Sequence, residues 1–173
     1  MTYRNRFVFT ASAAMTAAML GVAVYFLFFD SGAPDSLWDV FLALAAPCAV
    51  TWVLVRVGIT PFVAWDTESV TVCNPFVLYR ARLDQIRLLG KEGRGGAFDI
   101  EGIGTVLPWA MTRSVFDGKR ANAARRDLRH AVLQAAKPAP SEARRAPVRR
   151  PRFGWYDVLI IPFLGAVIWA FLP

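Results

Sequence analysis

The chain has 173 residues, of which 55% are hydrophobic and only 19% are charged, yet its formal net charge is +7. An average soluble protein carries about 25% charged residues, and the mean hydropathy here is high, at +0.38. This composition excludes a plain soluble enzyme, a secreted disulfide scaffold and a disordered chain, and it names no biochemical activity.

Three apolar segments have the length of membrane spans. The first is the uncharged 23-residue run Phe7–Phe29, the second extends from about 37 to 59, and the third from 155 to 172. A bilayer core of about 30 Å needs roughly 20 helical residues. Because only the short turn 30–36 separates the first two segments, we predict that they form a hairpin.

The basic residues predict the orientation. Lys and Arg bias flanking loops toward the cytoplasm, and all 20 of them lie in residues 1–6 or 56–153. The turn after the first segment carries Asp30 and Asp35 and no base. We therefore predict a membrane protein with its N-terminus and middle region in the cytoplasm and its C-terminus outside. The alternative is a signal peptide cleaved after Ala33, although its apolar core is longer than the usual 7–15 or so residues.

Four residues of the predicted spans invite a functional interpretation. Charges are costly inside a membrane and often functional there, so Asp39 and Asp157 could couple ions or protons. Local roles are the simpler interpretation, because Asp39 fits the S-x-x-[DE] pattern of a helix start and Asp157 follows an interfacial Trp-Tyr pair. Pro47 and Pro162 could mark packing sites between helices.

Residues 60–136 have a period-two apolar pattern. Short β-rich runs follow one another at roughly 8–12-residue spacing, with turn signals at Asp66–Ser69, Asn74–Pro75 and Gly93–Gly96. From Lys119 to Ala136, apolar residues recur at helical spacing instead. The predicted fold class is therefore an α+β membrane protein, with three transmembrane helices and a small antiparallel barrel closed by one C-terminal helix.

Three short stretches and the Arg-rich terminal helix of this region carry a family resemblance. The stretches are Ser69–Pro75, the basic strand Tyr79–Arg82 and the strand start Asp84–Ile86. In the residues of these stretches and in their order, the region resembles the bacterial pleckstrin-homology-like (PH-like) domains of small membrane proteins. The resemblance implies a seven-stranded barrel, capped by a helix, that serves as a binding module and catalyses no reaction. Trp109 is predicted to be a core or rim aromatic of this barrel.

The sequence contains no recognisable catalytic, cofactor or metal motif. Cys48 and Cys73 are predicted to lie in the membrane and in a cytoplasmic strand, so they should not form a disulfide, and the single histidine has no second ligand nearby. Asp99 and Glu101 share a strand face and could act as acid and base. Pairing with cross-strand bases such as Arg87 is the simpler role. We therefore predict a protein that is not an enzyme and uses no cofactor or metal.

Clustered bases are the most informative functional feature. Residues 56–153 carry 18 bases and 9 acids. Clusters of about 4–8 bases next to a span attract anionic headgroups, at about 1 kcal/mol per residue. The same bases would also fix the topology, and both roles stay open. The candidate lipid contacts are, before the third segment, Arg144, Arg145, Arg149, Arg150 and Arg152 and, on the terminal helix, Arg125, Arg126 and Arg129.

These observations predict a multi-pass membrane protein whose PH-like module mediates protein or anionic-lipid interactions at the inner membrane face. The expected partners are the membrane, anionic lipids, and other proteins or further copies of the chain. Nucleic acid is not expected, because the basic surface lacks interleaved aromatic residues and a recognition helix. The alternative is an accessory subunit of a membrane transport or envelope-assembly complex. The predicted divisions are a two-helix hairpin (1–59), a cytoplasmic PH-like domain (60–136), a basic Pro/Arg-rich linker with too little apolar content to fold (137–153), and a C-terminal transmembrane helix (154–173).

Overall fold

The chain divides into two units, which are described separately. The computed structural model describes residues 1–29, 36–89, 96–111, 118–135 and 146–171. An α+β unit comprises residues 1–7 and 60–152, and an apolar helical unit comprises 8–59 and 153–173. Several predictions fall outside the described residues. They are the turn after the first apolar segment with its cleavage site after Ala33, positions 93–95 of the glycine-rich turn signal, and the two candidate contacts Arg144 and Arg145.

Alternating apolar side chains build a five-stranded antiparallel sheet in the α+β unit. In the strand Ser69–Cys73, Val70 and Val72 are buried in the core, while Thr71 points to the opposite face and is partly exposed. Its strands are β1 (Thr2–Tyr3), β2 (Phe62–Trp65), β3 (Ser69–Cys73), β4 (Val77–Arg82) and β8 (Val148–Pro151). They lie in the order β1-β2-β3-β4-β8 across the sheet.

A second sheet and one helix complete the α+β unit. Its strands are β5 (Ile86–Leu88), β6 (Phe98–Ile100) and β7 (Gly104–Val106), paired antiparallel in chain order. The helix predicted after the strands is confirmed as α3 (Gly118–Ala135), and its buried Ala124, Leu128 and Val132 follow one another at four-residue intervals. These residues share one core with the inner faces of both sheets. The largest fully buried side chains of that core are Phe98, Leu83, Ile100 and Met111.

The two sheets do not close into a barrel. Within the described residues, one sheet has five strands and the other has three, and no ladder joins them. A short 3-10 helix, Leu83–Gln85, separates β4 from β5, and the free edge of β4 pairs with β8 instead. The α+β class with antiparallel sheets is confirmed, whereas the closed barrel implied by the PH-like resemblance is absent from this part of the chain.

Both edges of the five-stranded sheet come from segments that the sequence analysis assigned elsewhere. Val148–Pro151 pairs with Val77–Arg80, so the prediction that the basic linker cannot fold is wrong for these residues. An edge strand is held by backbone hydrogen bonds to its neighbour, and it tolerates the exposed charges and the proline found here. At the other edge, Thr2 and Tyr3 pair with β2, and residues 1–7 belong to the α+β unit rather than to a helical hairpin.

The apolar unit consists of helices. They are α1 (Arg6–Phe28), α2 (Leu37–Leu54) with its π-helical continuation Val55–Ile59, the 3-10 helix Trp155–Ile160, and α4 (Ile161–Phe171). The first two residues of α1 belong to the α+β unit, and the apolar unit begins at Val8. Two of the described helical segments, Arg6–Phe28 and Trp38–Ile59, are long and apolar enough to cross a membrane, and the segment Trp155–Phe171 is shorter. In the described part of this unit, α2 packs chiefly against α4 and the 3-10 helix before it.

Local sequence signals in the apolar unit have local structural roles. Asp39 lies in the first turn of α2 as predicted, where its carboxylate accepts hydrogen bonds from the Ser36 backbone and hydroxyl at 3.1 and 2.8 Å. Pro47 lies inside α2, and Pro162 lies where the 3-10 helix Trp155–Ile160 continues directly into α4. Gly58 lets α1 approach closely, since a Cβ at this position would lie 1.8 Å from Oγ of Ser12.

Candidate lipid-contact site

Arg149 and Arg150 are exposed on the edge strand β8. Arg149 lies directly opposite Tyr79, and Arg150 lies directly opposite Leu78. Opposed residues of an antiparallel pair share a face, so Arg150 is on the outer face of the sheet and Arg149 is on the face that leads to the core, at its open edge. Within the described residues, neither arginine forms a salt bridge. Both guanidinium groups are therefore presented to the surroundings by a rigid strand.

Strand β4 adds further arginines to the outer face. Arg80 is exposed, lies opposite Val148 and is two residues from Leu78, which places it on the outer face together with Arg150. Arg82 also shares this face, but its Nε lies 3.2 Å from Oδ1 of Asp84. We use the term β8 arginine face for the exposed edge that β8 forms with β4, where Arg80 and Arg150 lie on the outer side of the sheet and Arg149 lies on the other side.

The groove beside this face is less suited to an anion. It has a volume of about 550 Å³ and is lined by bases and acids together. Its lining includes Arg80 and Arg82 together with Asp66 and Glu68. The acids oppose the attraction that the arginines exert on an anion. Arg149 and Arg150 are not among the residues that line the groove, so these acids oppose them less directly.

Arg152, another predicted lipid contact, is used by the fold. Its backbone N–H donates to the Phe76 carbonyl at 2.9 Å, and its Nη1 donates to the Thr60 carbonyl at 3.2 Å and to Sγ of Cys73. Burial raises the pKa of the Cys73 thiol, and the nearby Arg152 charge opposes that shift. The side chain of Arg152 thus ties the last strand of the sheet to the residues that precede β2.

The terminal-helix candidates do not act as one group. Arg125 donates hydrogen bonds to the Met111 carbonyl and, at 3.1 Å, to Oδ1 of Asn122, so it joins α3 to the segment that ends at Met111. Arg126 and Arg129 are exposed on the surface of α3. They lie on α3, a different element from the strands of the β8 arginine face.

The apolar unit contains a polar cluster that the sequence analysis did not find. Oδ1 of Asp157 accepts hydrogen bonds from Trp52 Nε1 at 2.9 Å and from Arg56 Nε and Nη2 at 2.9 and 2.5 Å. Its Oδ2 accepts from the Gly154 backbone at 2.8 Å. The Arg56 guanidinium also lies 5.1 Å from the centre of the Tyr156 ring, a cation–π distance. The cluster ties the end of α2 to the start of the third apolar segment.

Other residues weighed in the sequence have modest roles. Arg87 lies directly opposite Asp99 on β5 and β6, the cross-strand arrangement expected for this carboxylate. Both cysteines are free thiols. Trp109 is 45% exposed, so it is a rim residue and not part of the core. Within the described residues, no group of three or more His, Cys, Asp or Glu side chains is arranged to hold a metal ion.

No protein-family model, curated protein or solved structure matches this chain. The resemblance to PH-like domains stays a prediction that rests on the stretches Ser69–Pro75, Tyr79–Arg82 and Asp84–Ile86 and on the helix that follows the strands. The functional assignment is accordingly built on the geometry of the chain's own residues.

Proposed function

We propose that the protein is a multi-pass membrane protein of the bacterial cell membrane whose α+β unit, a PH-like module, binds anionic lipid headgroups at the cytoplasmic face. The observation that carries the proposal is the pairing of β8 with β4, which places Arg80, Arg149 and Arg150 exposed on two adjacent strands. The planar fork of a guanidinium matches the oxygens of a phosphate. Near an anionic leaflet, each base contributes about 1 kcal/mol.

The lengths of the apolar helices support an integral membrane protein. Arg6–Phe28 and Trp38–Ile59 each have enough residues to cross a bilayer. The third segment, Trp155–Phe171, has 17 residues, but its first six are 3-10 helical. Because a 3-10 helix rises about 2 Å per residue and an α-helix about 1.5 Å, this segment extends roughly 28 Å and would also cross. The distribution of bases supports an orientation with the N-terminus and the α+β unit inside and the C-terminus outside.

Lipid binding is better supported than a role as an accessory subunit of a transport or assembly complex. That alternative gives the functional contacts to Asp39, Pro47 and Pro162. Asp39 closes a capping box at the start of α2, which gives this carboxylate a local structural role. The β8 arginines, by contrast, form no salt bridge within the described residues and lie on an exposed strand.

Neutralising the β8 arginines tests the proposal. The full-length protein is purified in mild detergent, phosphatidylglycerol or phosphatidylcholine is added, and the bound lipids are counted by native mass spectrometry. We expect the wild-type protein to retain more phosphatidylglycerol. In the variant R149Q/R150Q, the ratio of the affinity for phosphatidylglycerol to the affinity for phosphatidylcholine should fall at least about tenfold, because two bases at about 1 kcal/mol each are lost.

The matched control is R126Q/R129Q, which removes the same charge from α3. This control should retain most of the preference for phosphatidylglycerol. An equal loss in both variants would show that total charge matters and that the strand does not. Equal binding of both lipids by the wild-type protein would overturn the proposal.

A further inference from the structure

The β3–β4 turn and the segment after β7 are joined by a single side chain. Asn74 opens the turn, and its Nδ2 donates to the Leu107 carbonyl at 3.0 Å. Its Oδ1 accepts from the Trp109 backbone N–H at 2.8 Å. The turn itself is closed by a hydrogen bond from the Asn74 backbone N–H to the Val77 carbonyl at 3.0 Å. One amide thus brings two segments, more than thirty residues apart in sequence, to the same end of the unit.

This end exposes large apolar side chains. Phe76, Leu107 and Trp109 are 54%, 50% and 45% exposed. The polar turn at the opposite end of β3, Asp66–Ser69, has no apolar side chain. Clustered exposed apolar residues mark surfaces that contact something other than water. We call the region formed by Phe76, Leu107 and Trp109 the Asn74 end.

The charges near the two ends of the sheet differ. Arg150 is exposed opposite Leu78, the second residue of β4. Arg4 is exposed where β1 ends, with its guanidinium carbon 6.0 Å from the centre of the Phe62 ring. At the opposite end, the exposed acids Asp66 and Glu68 line a groove together with Arg80 and Arg82, so charges of both signs are present there. An anionic surface would therefore attract the Asn74 end more strongly than the other one.

The chain enters and leaves the α+β unit next to the Asn74 end. Thr60 and Arg152, the residues at two of the three points where the chain passes from one unit to the other, are joined by the hydrogen bond from Arg152 Nη1. Arg152 also donates its backbone N–H to the carbonyl of Phe76, within the β3–β4 turn. The apolar segments begin at the adjacent residues in the sequence. If these segments cross the bilayer, covalent continuity alone keeps this end of the sheet within a few residues of the headgroups.

We propose that Phe76, Leu107 and Trp109 insert into the headgroup–acyl boundary of the bilayer, so that the Asn74 end is the membrane-facing end of the α+β unit. The inference deepens the proposed function and rests on its membrane spans, and it assigns the contact to a particular part of the surface. Trp is enriched in this interfacial region, and interfacial segments bury Trp, Phe and Leu side chains about 5–10 Å into the headgroup–acyl boundary. Arg4 and Arg150 would meet the phosphates above them.

Depth measurements with spin labels test the insertion in the full-length protein. Cys48 is replaced by alanine, and Cys73 is retained because its side chain is fully buried and does not react with a labelling reagent. One nitroxide is placed at L107C. The matched label at T67C lies in the exposed turn at the opposite end of β3. The proteins are reconstituted in vesicles of phosphatidylcholine with phosphatidylglycerol, and collisions with oxygen and with a water-soluble nickel chelate are measured.

We expect the label at 107 to collide more with oxygen than with the nickel chelate and the label at 67 to show the reverse. A label at F76C should agree with the one at 107, which guards against a local effect of a single substitution. A water-exposed label at 107 would overturn the insertion. A label at 107 that is shielded from both reagents would overturn it in favour of a protein contact.

The two proposals can fail separately. Insertion at position 107 in vesicles of phosphatidylcholine alone would support the membrane-facing end even if the native mass spectra showed no preference for phosphatidylglycerol. A clear preference for phosphatidylglycerol, with a water-exposed label at 107, would retain headgroup binding by the β8 arginine face and reject the insertion.

Discussion

Asp157 in the apolar unit and Asp66 in the α+β unit show two ways in which a carboxylate can be held. Asp66 lies in an exposed turn, and its Oδ1 accepts hydrogen bonds from the backbone N–H groups of Glu68 and Ser69 at 2.8 and 2.6 Å. Asp157 accepts instead from the side chains of Trp52 and Arg56, more than a hundred residues earlier in the chain. One carboxylate organises four neighbouring residues, and the other joins two distant helices.

The difference follows from the surroundings of each group. In the exposed turn, water can satisfy any carboxylate lone pair that the protein does not, so local backbone donors are sufficient. An apolar helical unit offers no such supply, and an unpaired charge there is strongly disfavoured. Asp157 therefore requires a cation, and Arg56, whose side chain is only 4% exposed, is that cation. The same chemical group stabilises a local turn in one unit and joins distant segments of the chain in the other.

Removal of one partner of this ion pair should have the largest effect. We expect D157A to destabilise the protein by about 3–5 kcal/mol, because Arg56 would be left buried without its partner. The free energy of unfolding can be measured in mixed micelles of a mild detergent and dodecyl sulfate, with helix content as the signal.

The double variant R56L/D157L separates the pair from its packing. Removal of both charges should recover a large part of the lost stability, because well-packed apolar residues often replace a buried ion pair at little cost. If D157A were as stable as the wild-type protein, the pair would contribute nothing to the link between α2 and the 155–160 helix.

The side-chain amide of Asn74 is intermediate between the two carboxylates in the way it is held. It joins segments that are distant in sequence, as Asp157 does, but it lies at a partly exposed position, as Asp66 does. We expect N74A to lower the free energy of unfolding by about 1–2 kcal/mol, since two hydrogen bonds of about 1 kcal/mol each are lost.

N74D tests the direction of the two hydrogen bonds. It keeps the acceptor for the Trp109 backbone N–H but places a carboxylate oxygen against the Leu107 carbonyl oxygen, which repels it, so N74D should be clearly less stable than the wild-type protein. In the spin-label experiment, N74A should also reduce the contrast between positions 107 and 67. An N74D variant as stable as the wild-type protein would contradict the assigned hydrogen bonds.

The features that the sequence predicted correctly are those that depend on neighbouring residues. The polar turn after Trp65, the capping box at Asp39 and the apolar stripe of α3 each follow from side chains within a few positions of one another. The ion pair of Arg56 and Asp157 could not be found in this way. Its partners lie in separate apolar segments, and nothing in either segment specifies the other.

The strand β8 was missed for a related reason. Val148-Arg149-Arg150-Pro151 has no apolar alternation, and its composition is typical of a linker. The strand forms because β4 has an open edge, and an edge is created by the fold rather than by the four residues that occupy it. The same limit applied to Trp109, for which the sequence left core and rim open, and whose backbone hydrogen bond to the distant Asn74 is set by the fold. The candidate arginines were identified from the sequence, but their separation into exposed and structural groups required the structure.

The local carboxylate should show the smallest effect and a characteristic pH dependence. Backbone hydrogen bonds from Glu68 and then Ser69 lower the pKa of Asp66 below its usual value. Because the pKa is lower in the folded state, the ionised carboxylate stabilises the fold above the unfolded-state pKa of about 3.9. That stabilisation is lost as the pH falls through the folded-state pKa.

We expect D66A to be less stable than the wild-type protein by about 0.5–1 kcal/mol near neutral pH, and we expect this deficit to shrink below about pH 4. D66N keeps an acceptor oxygen without a charge, so its difference from D66A should not change with pH. Denaturant titrations of the three proteins in detergent at several pH values measure this, and a D66A deficit that persists unchanged in acid would show that the turn is not held by the ionised carboxylate.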